Sequence, residues 1–135
     1  MANGLYDAGR ESFLNADIDW LVDNIKAVLV DTAAYVVNLA THNALDDIAG
    51  GARIATSSNF SAKTSTAGVA DAADPTFTLV TGPTCEALVI YKDTGVEATS
   101  LLIAYIDTAT GLPVTPGGGN ITVTWDNGAN KIFKL

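Results

Sequence analysis

The apolar runs of this chain are short, lasting five or six residues at most, as in residues 101–106 (LLIAYI). A membrane-crossing helix needs about twenty such residues in a row, so the sequence encodes none. Short runs rich in β-branched residues and bounded by Gly, Pro, Asp and Asn specify strands instead. From Ala52 onward such runs recur at 53–56, 59–66, 76–80 (TFTLV), 86–92 (EALVIYK), 100–107 (SLLIAYID), 120–125 (NITVTW) and 131–135 (KIFKL). Ile121, Val123 and Trp125 alternate with two threonines, the pattern of a half-buried strand. Between the last two runs, Asn127-Gly128 offers the positive φ of a hairpin turn. Residues 69–75 read as a loop punctuated by Asp71 and Asp74-Pro75. Residues 108–119, with Gly111, Pro113, Pro116 and three consecutive glycines, read as a long loop across one end of the sheet. This spacing predicts an antiparallel β-sandwich or jelly-roll-like domain.

The first third is mixed. Leu5, Ala8 and Phe13, with Tyr6 and Leu14 beside them, fit a short helix whose early turns carry Asp7 and Glu11. Residues 17–24 (DIDWLVDN) read as a helical turn that feeds a strand at 25–31. Residues 35–39 fit a strand or extended segment. Thr41 suits the cap of a short helix running through Ile48, with Gly50-Gly51 as its stop. The 135 residues make one domain, mixed over 1–51 and β-rich over 52–135.

Fifteen acidic residues against seven Lys and Arg give a net charge of -8. The cations (Arg10, Lys26, Arg53, Lys63, Lys92, Lys131, Lys134) are scattered along the sequence and suggest no patch. Binding to nucleic acid or an anionic membrane is therefore not expected. Charged residues are only 16% of the chain, and so weakly charged a surface is cheap to desolvate against a partner. The lone Cys85 cannot form an intrachain disulfide and reads as a buried thiol. Residues 1–10 lack the basic-then-apolar order of a secretory leader, so synthesis is expected in the cytoplasm.

Chemistry is sparsely represented. The D-x-D pair Asp17/Asp19 and the set His42, Asp46 and Asp47 are the best acid–base or metal candidates. A metal centre wants three or more converging ligands, and a solvated surface role is expected for all five. Asp93, Gly95 and Glu97 lack the later ligands of a calcium loop and read as a turn; Asp71 and Asp74 are read likewise. No G-x-S-x-G elbow occurs, and the three glycines are not followed by the Lys-Ser/Thr of a phosphate loop. No catalytic, cofactor or metal site is expected. Trp125 reads as core, while Trp20 stands between core and interface.

Three stretches, residues 4–33, 87–116 and 121–135, resemble a family of small virion structural proteins of tailed bacteriophages. The resemblance implies a non-enzymatic cement or decoration protein on the capsid exterior. Its partners would be the major capsid protein and copies of itself, with a trimer as the expected arrangement on an icosahedral shell. A host-recognition module of a tail or head fibre is the alternative. Partner contacts are expected from Leu5, Tyr6, Phe13, Leu14 and Trp20 near the N-terminus, and from Pro113, Pro116 and Gly118 in the long loop.

Overall fold

The computed structural model describes residues 3–135; Met1 and Ala2, which open the segment read for a leader, lie outside the described residues. The chain is mainly β, with a β-sandwich-like arrangement and one α-helix near the N-terminus. In chain order the elements are β1 (Gly4–Leu5), α1 (Asp7–Leu14), β2 (Ile25–Val30), β3 (Arg53–Thr56), β4 (Thr64–Thr66), β5 (Val69–Asp71), β6 (Thr76–Phe77), β7 (Ala87–Lys92), β8 (Leu102–Ile106), β9 (Ile121–Thr122) and β10 (Phe133–Lys134). Short 3-10 turns cover Leu45–Asp47, Gly50–Ala52 and Glu97–Thr99. A five-stranded sheet runs β1-β8-β7-β2-β3, a three-stranded sheet β10-β5-β4, and β6 pairs with β9; all pairings are antiparallel.

The central strands β2, β7 and β8 are apolar at nearly every position because both faces of their sheet are covered. One face carries Ile25, Leu29, Leu88, Ile90 and Ile106 against the two smaller sheets. The other carries Val28, Val30, Val89 and Tyr105 beneath Tyr6, Tyr35, Leu45 and Ile48. A bulge keeps these faces distinct. Ile90 pairs with Ala104 but Tyr91 with Leu102, leaving Ile103 extra. That single insertion lets Leu102 and Tyr105 share one face while Ile103 and Ile106 take the other. The first core is organised by aromatic contacts that run Phe13–Phe133–Trp20–Phe60–Trp125, with centroids 5.3–6.0 Å apart.

Several local expectations are overturned. Residues 69–71 form β5 rather than loop: Ala67 (φ 53°) and Gly68 (φ 79°) make a two-residue turn that folds β5 back on β4. β9 and β10 do not form a hairpin. Trp125 is pulled into the core, where Asp74 Oδ1 accepts its backbone N–H (3.0 Å) and the Ala73 carbonyl its indole N–H (3.2 Å). The chain then leaves β6 and reaches β5, and the positive φ falls on Lys131, not on Asn127-Gly128. Of residues 59–66, only Thr64–Thr66 is strand; residues 35–39, read as a strand or extended segment, form no strand of a sheet. Residues 41–48 hold a single 3-10 turn, because Asp47 Oδ2 accepts the N–H groups of Asn43 (2.7 Å) and Ala44 (3.2 Å) and closes the turn locally. Leu5 belongs to β1 rather than to the helix.

Candidate functional site

α1 reaches the sheet through Gly9. A Cβ there would stand 2.6 Å from the Leu102 carbonyl oxygen, so only glycine allows the helix to lie this close to β8. From that seat Phe13 turns inward onto Phe133, ring centroids 6.0 Å apart, while Leu14 turns out and is 87% exposed. The chain's last strand alternates in the same way, Phe133 buried and Lys134 out, and Leu135 continues over Phe13, 58% exposed. Leu5, Phe13, Leu14 and Leu135, with Arg10 and Lys134 at the rim, form a groove of about 420 Å³. A second hollow of about 390 Å³ adjoins it through Phe13 and Leu135 and extends to Leu21.

Folding engages most of the cations that the sequence scatters. Four of the seven are engaged by their own chain. Lys26 pairs with Asp93 (2.8 Å), Arg53 holds Glu97 through two bonds (2.8 and 3.1 Å), Lys92 pairs with Asp23 (3.2 Å), and Lys63 donates to the Asp23 carbonyl. Arg10, Lys131 and Lys134 make no ion pair among the described residues. Arg10 and Lys134 both line the groove, two cations rather than a cluster.

The adjoining loop, residues 17–24, is tied down from several directions. Asp19 Oδ1 accepts the N–H groups of Leu21 (3.0 Å) and Val22 (3.2 Å), and Asp23 Oδ2 accepts that of Asp19 (2.8 Å). The Lys92 ammonium donates to the Asp17 carbonyl (2.6 Å). Burial opposes ionisation of the Asp23 carboxyl, but the Asp19 N–H and Lys92 outweigh it and hold its pKa below the usual carboxylate range. Beneath the loop, the Trp20 indole N–H donates to the carbonyls of Thr64 (3.1 Å) and Asp71 (3.3 Å). The loop therefore offers Leu21 and Val22 to solvent, the latter 78% exposed.

Of the expected contact residues, the structure brings Leu5, Phe13 and Leu14 together in the groove. Tyr6 and Trp20 are buried and belong to the two cores, so neither offers a contact surface. Tyr6 is pulled under the opposite face of the sheet by its hydroxyl bond to Tyr35 (2.8 Å). Pro113 and Gly118 are exposed and Pro116 partly so, but on the 108–119 segment and away from α1. That segment is pinned rather than adaptable. Thr110 bridges Thr124, Val114 exchanges two backbone bonds with Cys85 (2.8 and 2.9 Å), and the N–H of Gly118 donates to the Val80 carbonyl (2.8 Å). Leu112-Pro113 is a cis peptide. Sequence reasoning missed Arg10, Lys134 and Leu135, whose proximity depends on β10 pairing with β5.

The acid–base candidates do not converge. Asp19 and Asp47 bond to nearby backbone, and His42 Nδ1 meets the Tyr35 hydroxyl (2.9 Å) and the Asn38 N–H (3.3 Å). His42 and Asp46 share no helix face, because residues 41–48 hold only a 3-10 turn. Among the described residues no group of three or more His, Cys, Asp or Glu could hold a metal ion. Asp93 closes a turn at Gly95 (φ 83°) and, through the Lys26 bond first, is held below its ordinary pKa. Burial pushes the Cys85 thiol up to about 11, which keeps it protonated at neutral pH. No helix among the described residues is long and apolar enough to cross a membrane. No protein-family model matches the chain, and no curated protein matches it significantly.

Proposed function

We propose that this chain is a non-enzymatic structural subunit of a tailed-bacteriophage virion, acting as a cement or decoration protein on the outer face of the capsid. The observation that carries the reading is the apolar face built by Leu14, Leu21 and Leu135 around Phe13, large side chains left in solvent by a domain that buries its other aromatics. Contiguous exposed apolar surface of this kind suits burial against another protein. The resemblance of residues 4–33, 87–116 and 121–135 to small virion proteins supplies the setting. A subunit bound only to the assembled shell stabilises that state by mass action. A specific attachment would bury on the order of 1,200–2,000 Å².

The test is to add purified protein to capsids that lack it and quantify bound copies per particle after sedimentation. Hundreds of copies are expected. Tens or fewer would favour a fibre module, and no binding to shells would overturn the reading.

A further inference from the structure

Two adjacent features of one face are complementary to each other. The groove between α1 and β10 has an apolar floor and a cationic rim, and its cations, Arg10 and Lys134, make no ion pair among the described residues, in a chain of net charge -8. The loop beside it has the converse chemistry, an apolar crest of Leu21 and Val22 flanked by the carboxylates of Asp17 and Asp19. Both features are preformed: the groove rests on the Phe13–Phe133 contact, and the loop is fixed by the Asp19 and Asp23 bonds. The crest does not fill its own chain's groove, since Leu21 remains 51% exposed and Val22 lines neither hollow. A loop and its complementary groove lying side by side on one face meet the condition for a two-fold contact, where residue i touches j and j touches i.

We propose that two copies of this chain associate about a two-fold axis by reciprocal insertion of this loop. The Leu21–Val22 crest of each copy seats in the groove of the other. There Asp17 and Asp19 approach Arg10 and Lys134, converting unpaired charges into cross-subunit pairs as the apolar surface leaves water. The three-fold arrangement expected from sequence would instead need donor and acceptor surfaces on different sides. A dimer of this kind covers the same face, Leu14, Leu21 and Leu135, from which the capsid reading is argued; sedimentation of the free chain tests the dimer and capsid binding tests the shell contact, so the two fail separately.

Sedimentation velocity of the full chain over a concentration series tests it. A reversible species of twice the chain mass is expected, weakened by added salt. Leu14→Asp and Val22→Asp alter well-exposed side chains, and each should weaken dimerisation at least about tenfold, with the circular dichroism spectrum unchanged and the melting temperature unchanged at concentrations where the parent chain is monomeric. Arg10→Asp should weaken it as well, and Arg10→Asp combined with Asp17→Arg should restore part of the loss. A monomer at every concentration, a trimer, or a dimer indifferent to both Leu14→Asp and Val22→Asp would each overturn the proposal. Native mass spectrometry showing a bound lipid in the groove would overturn it too.

Discussion

Tyr35 serves two partners with one hydroxyl, Tyr6 Oη at 2.8 Å and His42 Nδ1 at 2.9 Å. The Asn38 N–H also points at Nδ1 (3.3 Å), so that nitrogen is the acceptor and Tyr35 donates to it. Tyr6 must then donate to Tyr35. Burial raises the Tyr6 phenol far above its ordinary pKa, and this donated bond raises it further. Tyr35→Phe removes the acceptor and leaves a fully buried hydroxyl unpaired. The expected cost is about 1–3 kcal/mol in urea unfolding. Adding Tyr6→Phe should recover part of it, because the orphaned group is then gone. A double variant as unstable as the sum of the singles would refute the chain of bonds. None of this was legible in sequence, where Tyr6 stood beside a helix as an expected partner contact. Trp20 was similarly opaque, since the carbonyls that fix its indole come from Thr64 and Asp71, far along the chain. Trp125 was legible, because its alternation with Ile121 and Val123 is local.

At the scale of elements, α1 shows how tertiary context reverses a propensity. Alanine in a helix interior is ordinarily favoured over glycine by about 1 kcal/mol. At Gly9 the added methyl would sit 2.6 Å from one backbone atom of β8 and 3.0 Å from another, and neither can move without the strand. Gly9→Ala is therefore expected to destabilise, lowering the melting temperature. A neutral or stabilising result would show that α1 can lift from the sheet. The same helix ends in the opposite situation. Ala16 takes φ 61°, with its N–H bonded to the Phe13 carbonyl (3.2 Å) and that of Asp17 to the Ser12 carbonyl (2.8 Å), the paired bonds of a glycine-type terminus made with alanine. Substitution by alanine at position 9 and by glycine at position 16 should thus shift stability in opposite directions, Ala16→Gly raising it by roughly 0.5–1 kcal/mol. The strands carrying the central sheet were legible because their runs are short, nearly unbroken and apolar. β5 was not, since alanine is an unusual first residue for its turn, and the short strands β9 and β10 pair according to where Trp125 packs.

Across the whole molecule, the ionisable groups that folding perturbs define a window of stability. Asp93, bonded to Lys26, and Asp23, bonded to the Asp19 N–H and Lys92, both have pKa values depressed in the folded state. A depressed carboxyl contributes stability that is fully present above the unfolded value, about 3.9 for Asp, and is lost as pH falls through the folded value. On the alkaline side Cys85 is raised to about 11 by burial. Its contribution is complete below the unfolded thiol value, about 8.5, and disappears as pH climbs toward the folded one. The melting temperature should therefore hold level between these limits, fall below about pH 4 as the carboxylates protonate, and fall again above about pH 8.5. Lys26→Met isolates the acid limb. Without the ammonium 2.8 Å away, Asp93 loses the largest cause of its depression, so the variant should be less stable at neutral pH yet lose less on acidification. Thermal melts of both proteins from pH 7 to pH 3, with Cys85→Ala as the matching control for the alkaline limb, provide the measurement. Parallel acid limbs for Lys26→Met and the parent chain would show that this pair does not set the acid boundary, leaving the other depressed carboxyls, Asp23 and Glu97, as its source.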